Sequence, residues 1–358
     1  MVSPFISFYS ASTGISGEML AIITSAGTTL PGVTQFILSF IKSRAKMLLF
    51  ISTLVIGISW LIIGSLNILG SLFVVMYIII EAGLGAANLG WLLIVEKISV
   101  SKRGSTLALY SFYGAIGGLF ATLITGIIVR GNLYLMRYFF ITAGTILLFD
   151  AYVIYQFDVD AYYKKAKVSY DLLKLRKFLM INSIFTMIWS MAWPLFPLAQ
   201  IYKFHMTELD VGLISISGSA STIALQRLIG KLTDSKRKYI MFAGRLGLAT
   251  FPLAYALATN VTEIIIANAV SGFTNSASIS YYAYLFDNSQ NKRFSIALYN
   301  FLNGISALVG SSLGSFLLYV LIPIYGIEGA VVRLLFMIGI LRILGSLMYL
   351  LVGDVQRK

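Results

Sequence analysis

Long apolar stretches, interrupted by short polar or basic segments, run through the whole chain. A helix that crosses a bilayer needs about 20 mostly apolar residues. Eleven stretches meet that length: residues 15–41, 45–67, 70–95, 105–129, 134–157, 178–203, 207–232, 237–258, 261–286, 294–323 and 328–353. The opening Met1–Ser12 is apolar and aromatic but too short for a twelfth. It lacks the basic start and the small-residue cleavage site of a secretory signal. The longest polar interruption, Asp158–Lys177, is rich in lysine. No interruption is long enough for a separate soluble domain.

The basic residues orient these spans. If the partial first span runs outward, 21 of the 27 Lys and Arg fall on one side, from Lys42, Arg44 and Lys46 through Lys97, Lys102 and Arg103 to Arg357 and Lys358. Only Arg130, Arg137, Lys203 and Arg333 fall on the other, while Arg245 and Arg342 lie inside spans. Lys and Arg accumulate on the cytoplasmic side of membrane proteins. Both chain ends are therefore expected in the cytoplasm, and the chain in the cell membrane.

A weak internal repeat organises the spans. Gly27–Phe50 aligns with Gly218–Phe242, bringing Gln35 onto Gln226 and Lys46 onto Lys238. Lys102-Arg103 aligns with Lys292-Arg293, and Arg137, Phe140 and Asp158 align with Arg333, Phe336 and Asp354. Two six-helix halves in one orientation follow, residues 1–157 and 178–358, joined by the basic linker 158–177. Tandem halves with a central site are a recurring transporter plan. The counterpart of Phe178 would lie before Met1, so the first helix is expected to be incomplete and the natural start to lie upstream.

Composition then narrows the class. The chain is 58% hydrophobic and only 11% charged, against roughly 25% charged in soluble domains. A soluble enzyme, a disordered chain and a nucleic-acid-binding protein are excluded. The net charge of +13 reads as the cytoplasmic Lys and Arg excess. There is no cysteine and a single histidine, His205, so neither thiolate chemistry nor a histidine metal cluster is available. No cofactor is expected, and no GxxxxGK[ST] phosphate loop occurs. His205 is read as a solvated loop residue.

One segment carries a resemblance. Gly230-Lys-Leu-Thr-Asp234-Ser-Lys-Arg237-Lys238 is similar to the signature cytoplasmic loop of the major facilitator superfamily. With twelve spans when the partial first is counted, a six-plus-six repeat and a basic central loop, the resemblance covers the whole chain. It implies an all-α membrane bundle of two six-helix halves, and a cytoplasmic gate in which Asp234 faces a neighbouring helix N-terminus. An anion there gains about 0.3–1 kcal/mol. The first-half copy, Ser39-Phe-Ile-Lys42-Ser43-Arg44-Ala-Lys46, departs from the pattern, with serine in place of the aspartate. Gly83-Leu-Gly85-Ala86-Ala87 resembles the fourth-helix motif, with Ile79 where its arginine stands. The fifth span has no Gly-Pro pair, so the antiporter signature is absent.

Polar residues inside spans are the site candidates. Glu81, midway along its span, leads, because a carboxylate at membrane depth costs about 2.5–3.5 kcal/mol on insertion scales. Arg342 is its natural opposite charge, and Asp150 is a weaker candidate. Arg245 lies less than three turns from the cytoplasm and is read as snorkelling. Asn182 and Trp189, and Asn268 and Asn275, stand on helices that line the cavity in the resembling family. Gln35 and Gln226 face either the cavity or a helix partner. Gly118-xxx-Thr122-xxx-Gly126 and Ser306-xxx-Gly310-xxx-Gly314 let helices approach closely. Asn260-Val-Thr262 is a glycosylation sequon on the outer side.

The expected function is secondary active transport of a small organic solute by alternating access, with no enzymatic activity. Glu81 is the leading proton or solute contact, and the single central acid favours proton-coupled uptake. Export of lipophilic compounds, or a transport-incompetent scaffold or sensor, are the alternatives. The expected partners are the solute, H+ and the bilayer, with the chain acting as a monomer.

Overall fold

The computed structural model describes residues 2–98, 103–163, 172–289 and 292–353. Lys102 and Asp354 of the repeat lie outside the described residues, as does the side chain of Asp234. The helices are α1 (Ile6–Ser12), α2 (Gly17–Ser39), α3 (Ala45–Leu66), α4 (Gly70–Ile98), α5 (Arg103–Val129) and α6 (Met136–Tyr155). After the linker come α7 (Leu172–Ser190), α8 (Leu195–Tyr202), α9 (Glu208–Gly247), α10 (Thr250–Leu257), α11 (Val261–Asn268), α12 (Ser271–Asn288) and α13 (Lys292–Leu347).

These helices form rods that follow the eleven apolar stretches, and the boundaries have local causes. α3 stops at Asn67, which adopts a left-handed φ of 48°, a conformation asparagine tolerates at a helix C-terminus. α13 is two rods, 292–325 and 327–347, parted by Gly326 at φ 69° and ψ 174°, which a side chain would resist. α7 and α8 together make one rod, broken before Pro194. Among the described residues, seven helical stretches are long and apolar enough to cross a membrane by length and composition. α12, the most polar wall of the cavity described below, is not among them.

The motif segment 230–238 differs from the loop its resemblance implies. It is helical throughout α9 except at Lys236, whose φ of −129° and ψ of 39° part the rods 208–235 and 237–247. Gly230 faces open space, and Arg237 and Lys238 follow the break directly.

The linker is anchored at its start. Strand β1 (Ser43–Arg44) pairs antiparallel with β2 (Tyr162–Tyr163), Ser43 opposite Tyr163 and Arg44 opposite Tyr162. α3 has no side-chain cap of its own. Asp160 supplies one, its Oδ1 accepting from the Lys46 backbone N–H at 3.0 Å. The Ala45 N–H also donates to the Ala161 carbonyl at 2.8 Å.

Two long contacts join the helices before the linker to those after it. α2 lies along α13: Ser315 Oγ donates to Gly17 O at 2.9 Å, Ser311 Oγ to Ala21 O at 2.6 Å and Thr29 Oγ1 to Gly304 O at 2.8 Å. Phe36 stacks on Phe301 at 4.6 Å near the basic end. The Gly310 and Gly314 row makes its close approach at the end of α7, where a Cβ would collide with the carbonyls of Met187 and Met191.

The second contact, α5 against α9, is closed at one end only. A Cβ on Gly126 would lie 3.2 Å from Glu208 O, and one on Gly212 3.7 Å from Thr122 O. Gly114, Gly117 and Gly118 face open space, and Ile223, Gln226 and Leu228 of α9 are exposed. The two helices therefore meet near Glu208 and stand apart toward the basic end.

Candidate functional site

The helix breaks create the site. Proline lacks an N–H, so a carbonyl four residues before it loses its helical partner. Pro252 frees the Leu248 carbonyl in this way. At Pro194 the chain turns so that the Trp193 N–H bonds Ser190 O at 3.0 Å, leaving the Trp189 carbonyl without that donor. Arg342, 0% exposed, takes both: its Nη1 donates to Leu248 O at 2.6 Å and its Nη2 to Trp189 O. The expected pairing of Arg342 with Glu81 is corrected by this geometry. Arg342 is bound to two orphaned carbonyls, and its guanidinium lies over Phe196.

In front of these breaks lies a cavity of about 400 Å³, walled by α2, α7, α9, α12 and α13. α12 presents Asn275, Ser278 and Tyr282 along one exposed stripe, the three- and four-residue spacing of a helix face. α7 contributes Thr186 and Trp189, α13 contributes Tyr299 and Asn303, and α2 reaches the cavity through Thr28.

Arg245 of α9 is the charged residue of this wall. It is 7% exposed and does not reach out to the membrane surface as its depth suggests. Its Nε donates to Tyr349 Oη at 3.2 Å and its Nη2 to Asn182 Oδ1 at 2.8 Å. Tyr349 Oη donates in turn to Asn182 Oδ1 at 2.8 Å. Asn182 Nδ2 donates to Asn303 Oδ1, which also accepts from Thr186 at 3.3 Å. The guanidinium faces the rings of Tyr281 at 4.3 Å, Phe185 at 5.0 Å and Trp189 at 5.6 Å. Ring faces attract a cation electrostatically, so an aromatic cage holds the charge in place of a carboxylate.

The remaining candidates are dispersed. Glu81 is 6% exposed but borders a different crevice, of about 240 Å³, with Ser3, Trp60 and Leu147. It faces Gly27: a Cβ there would lie 3.8 Å from Glu81 Oε2. α2 thus turns Gly27 to Glu81 and Thr28 to the cavity. Gln35 touches the cavity wall indirectly, accepting from Asn300 at 3.4 Å while Asn300 accepts from Tyr282 at 3.3 Å. Asn275 lines the cavity and donates to Thr222 at 3.2 Å. Asn268 donates to Ile214 O at 2.6 Å and holds α11 to α9, away from the cavity. Asp150 is exposed on α6, and Gln226 is exposed on α9 where α5 stands apart; neither is among the residues lining the cavity. Asn260 caps α11, accepting from the Glu263 N–H at 3.1 Å.

Arg245, Tyr299, Asn303 and Tyr349 are the residues that sequence reasoning missed. The signal available for Arg245 was the one used for Glu81, a charge inside an apolar span.

Comparisons agree with this architecture. The family model of the Major Facilitator Superfamily matches residues 178–358, just over half of the chain. No curated protein matches the sequence. Solved structures do match the fold. The nucleoside transporter NupG superposes with a TM-score of 0.68 at 11% identity, over 98% of this chain and 94% of that one. Tetrameric PepTSo2 gives 0.73 at 12% identity, over 98% and 93%. A POT family transporter in complex with a thioalcohol-conjugated peptide gives 0.72 at 11%, over 97% and 91%. The architecture is that of an all-α membrane transporter, and the chain belongs to the major facilitator superfamily.

Proposed function

We propose that the chain is a secondary transporter that moves a small organic solute by alternating access through the Arg245 cavity. The observation carrying this is the uneven α5–α9 contact: closed around Gly126 and Gly212, parted from Gly118 onward. A cavity shared between α2 and the helices after the linker, sealed toward one membrane face, suits a carrier caught in one of its two states. In this reading residues 1–157 and 178–358 are the moving halves and 158–177 the tether. The basic end faces the cytoplasm, and the Asp234, Arg237 and Lys238 segment belongs to the gate on that side.

Proton coupling is assigned to Glu81. Pro31 lacks the N–H that the Gly27 carbonyl would accept within α2, and Glu81, which shares a hydrogen bond with Tyr77, lies beside Gly27. A protonated carboxyl can donate there; a carboxylate cannot. Protonation at Glu81 would thereby change how α4 sits against α2. The nucleoside and peptide transporters of similar fold support a solute of comparable size.

The chain has no cysteine, so Asn275→Cys introduces a single thiol into the cavity wall. The experiment labels it with a membrane-impermeant reagent in vesicles of both orientations. Labelling from either face is expected, and Glu81→Gln should bias it toward one. Labelling from one face alone, in every condition, would reject alternating access.

A further inference from the structure

We infer that the solute is a small organic anion, a carboxylate or phosphate carried on a flat ring, and that Arg245 takes its charge. This rests on the reading of the cavity as the solute site.

The first argument is charge balance. Arg245 is 93% buried, and its bonded partners, Asn182 and Tyr349, are both neutral. No described carboxylate lies on the cavity wall. A buried cation is costly unless an anion or hydrogen bonds compensate it. The ring faces around it offset part of that cost. An anion entering the cavity would relieve the remainder.

The second argument is geometry. The Tyr349 hydroxyl and the Asn182 amide hold Nε and Nη2. Nη1 carries no bond among the described residues, and it belongs to a side chain that lines the cavity. A guanidinium fixed on one edge presents the other as a preset donor, which suits a carboxylate or phosphate oxygen. Neither residue holding it needs to move for that contact.

The third argument is the shape and polarity of the rest of the wall. Trp189, Tyr282 and Tyr299 supply ring surface, with Tyr282 and Tyr299 edge to face at 5.7 Å. Asn275 and Asn303 supply neutral polar contacts. A planar ring fits between such walls, and the amides suit its neutral substituents. A cation would be repelled by Arg245. A zwitterion would leave its ammonium without a described acidic partner, because Glu81 borders another crevice.

The test uses the full chain in lipid nanodiscs, reading tryptophan fluorescence and thermal stability. The probes are benzoate, indole-3-acetate and phenyl phosphate, against benzamide, indole-3-acetamide and benzylamine. The acids should bind at least tenfold more tightly than their amides, with benzylamine weakest. Arg245→Lys should bind acids less tightly yet keep the preference, and Arg245→Gln should lose it. If Arg245→Gln does not fold, Asn275→Asp decides: the added negative charge in the wall should weaken the acids about tenfold more than it weakens the amides. Amides binding as tightly as acids in the unaltered chain, or no acid binding at all, would overturn the anion assignment. Two-sided labelling at Asn275→Cys with such a result leaves transport standing and removes only the anion. Acid binding with one-sided labelling leaves an anion site and removes transport.

Discussion

Thr29 Oγ1 on α2 donates to the carbonyl oxygen of Gly304 on α13 at 2.8 Å, across the contact that joins the first helices to the last. The bond is possible because residue 304 has no side chain. A Cβ there would lie 2.9 Å from both Cα and O of Thr29. Gly304→Ala should therefore push α2 from α13, with an overpacking cost of about 1–3 kcal/mol. Thermal unfolding in detergent measures it, and an unchanged melting temperature would show that the contact yields freely.

Arg342 gives a prediction of the opposite character, purely of stability. Arg342→Leu leaves the Leu248 and Trp189 carbonyls buried without donors, at about 1–3 kcal/mol each. Melting temperature should fall sharply, while the acid-over-amide ratio of surviving protein stays the same. A changed ratio at full stability would make Arg342 a solute contact after all.

Tyr349→Phe separates holding from binding. The variant keeps the ring against Arg245 and removes the oxygen that accepts from Nε and donates to Asn182. One hydrogen bond is worth about 0.5–1.5 kcal/mol net, which corresponds to a fall of about 2- to 13-fold in benzoate affinity. Titrations of the two proteins side by side decide it, and equal affinities would mean Arg245 needs no holder.

Asp160→Ala should release the linker. The aspartate caps α3 from a distance in sequence, and losing such a cap costs about 0.5–2 kcal/mol. Limited proteolysis between 158 and 177 should speed up. A cleavage rate matching that of the unaltered chain would show that the β1–β2 pairing holds the linker alone.

Much of the architecture was legible because each membrane span needs its own unbroken apolar run, so the stretches mark the rods one by one. The helix breaks were less legible: a proline in a span marks a freed carbonyl, but not which side chain will fill it. The site was harder still. Position along a span fixes depth, which is why Glu81 and Arg342 stood out. It does not fix which way a side chain points. A helix apolar all round carries no stripe to read that direction from. Glu81 and Arg245 share comparable isolation in sequence, yet α2 stands between their pockets. Asp160 was invisible for a different reason, since its partner Lys46 lies 114 positions away.

The two carbonyls that Arg342 occupies belong to different rods, one at the end of α7 and one following α9. Each break, taken alone, would be a joint free to flex at its own proline. With a single guanidinium pinned between them, neither can open without stretching a bond at the other. Two joints become one degree of freedom. Bending of α8 and bending of α10 should then occur together, in the manner of a linkage rather than of two loose hinges.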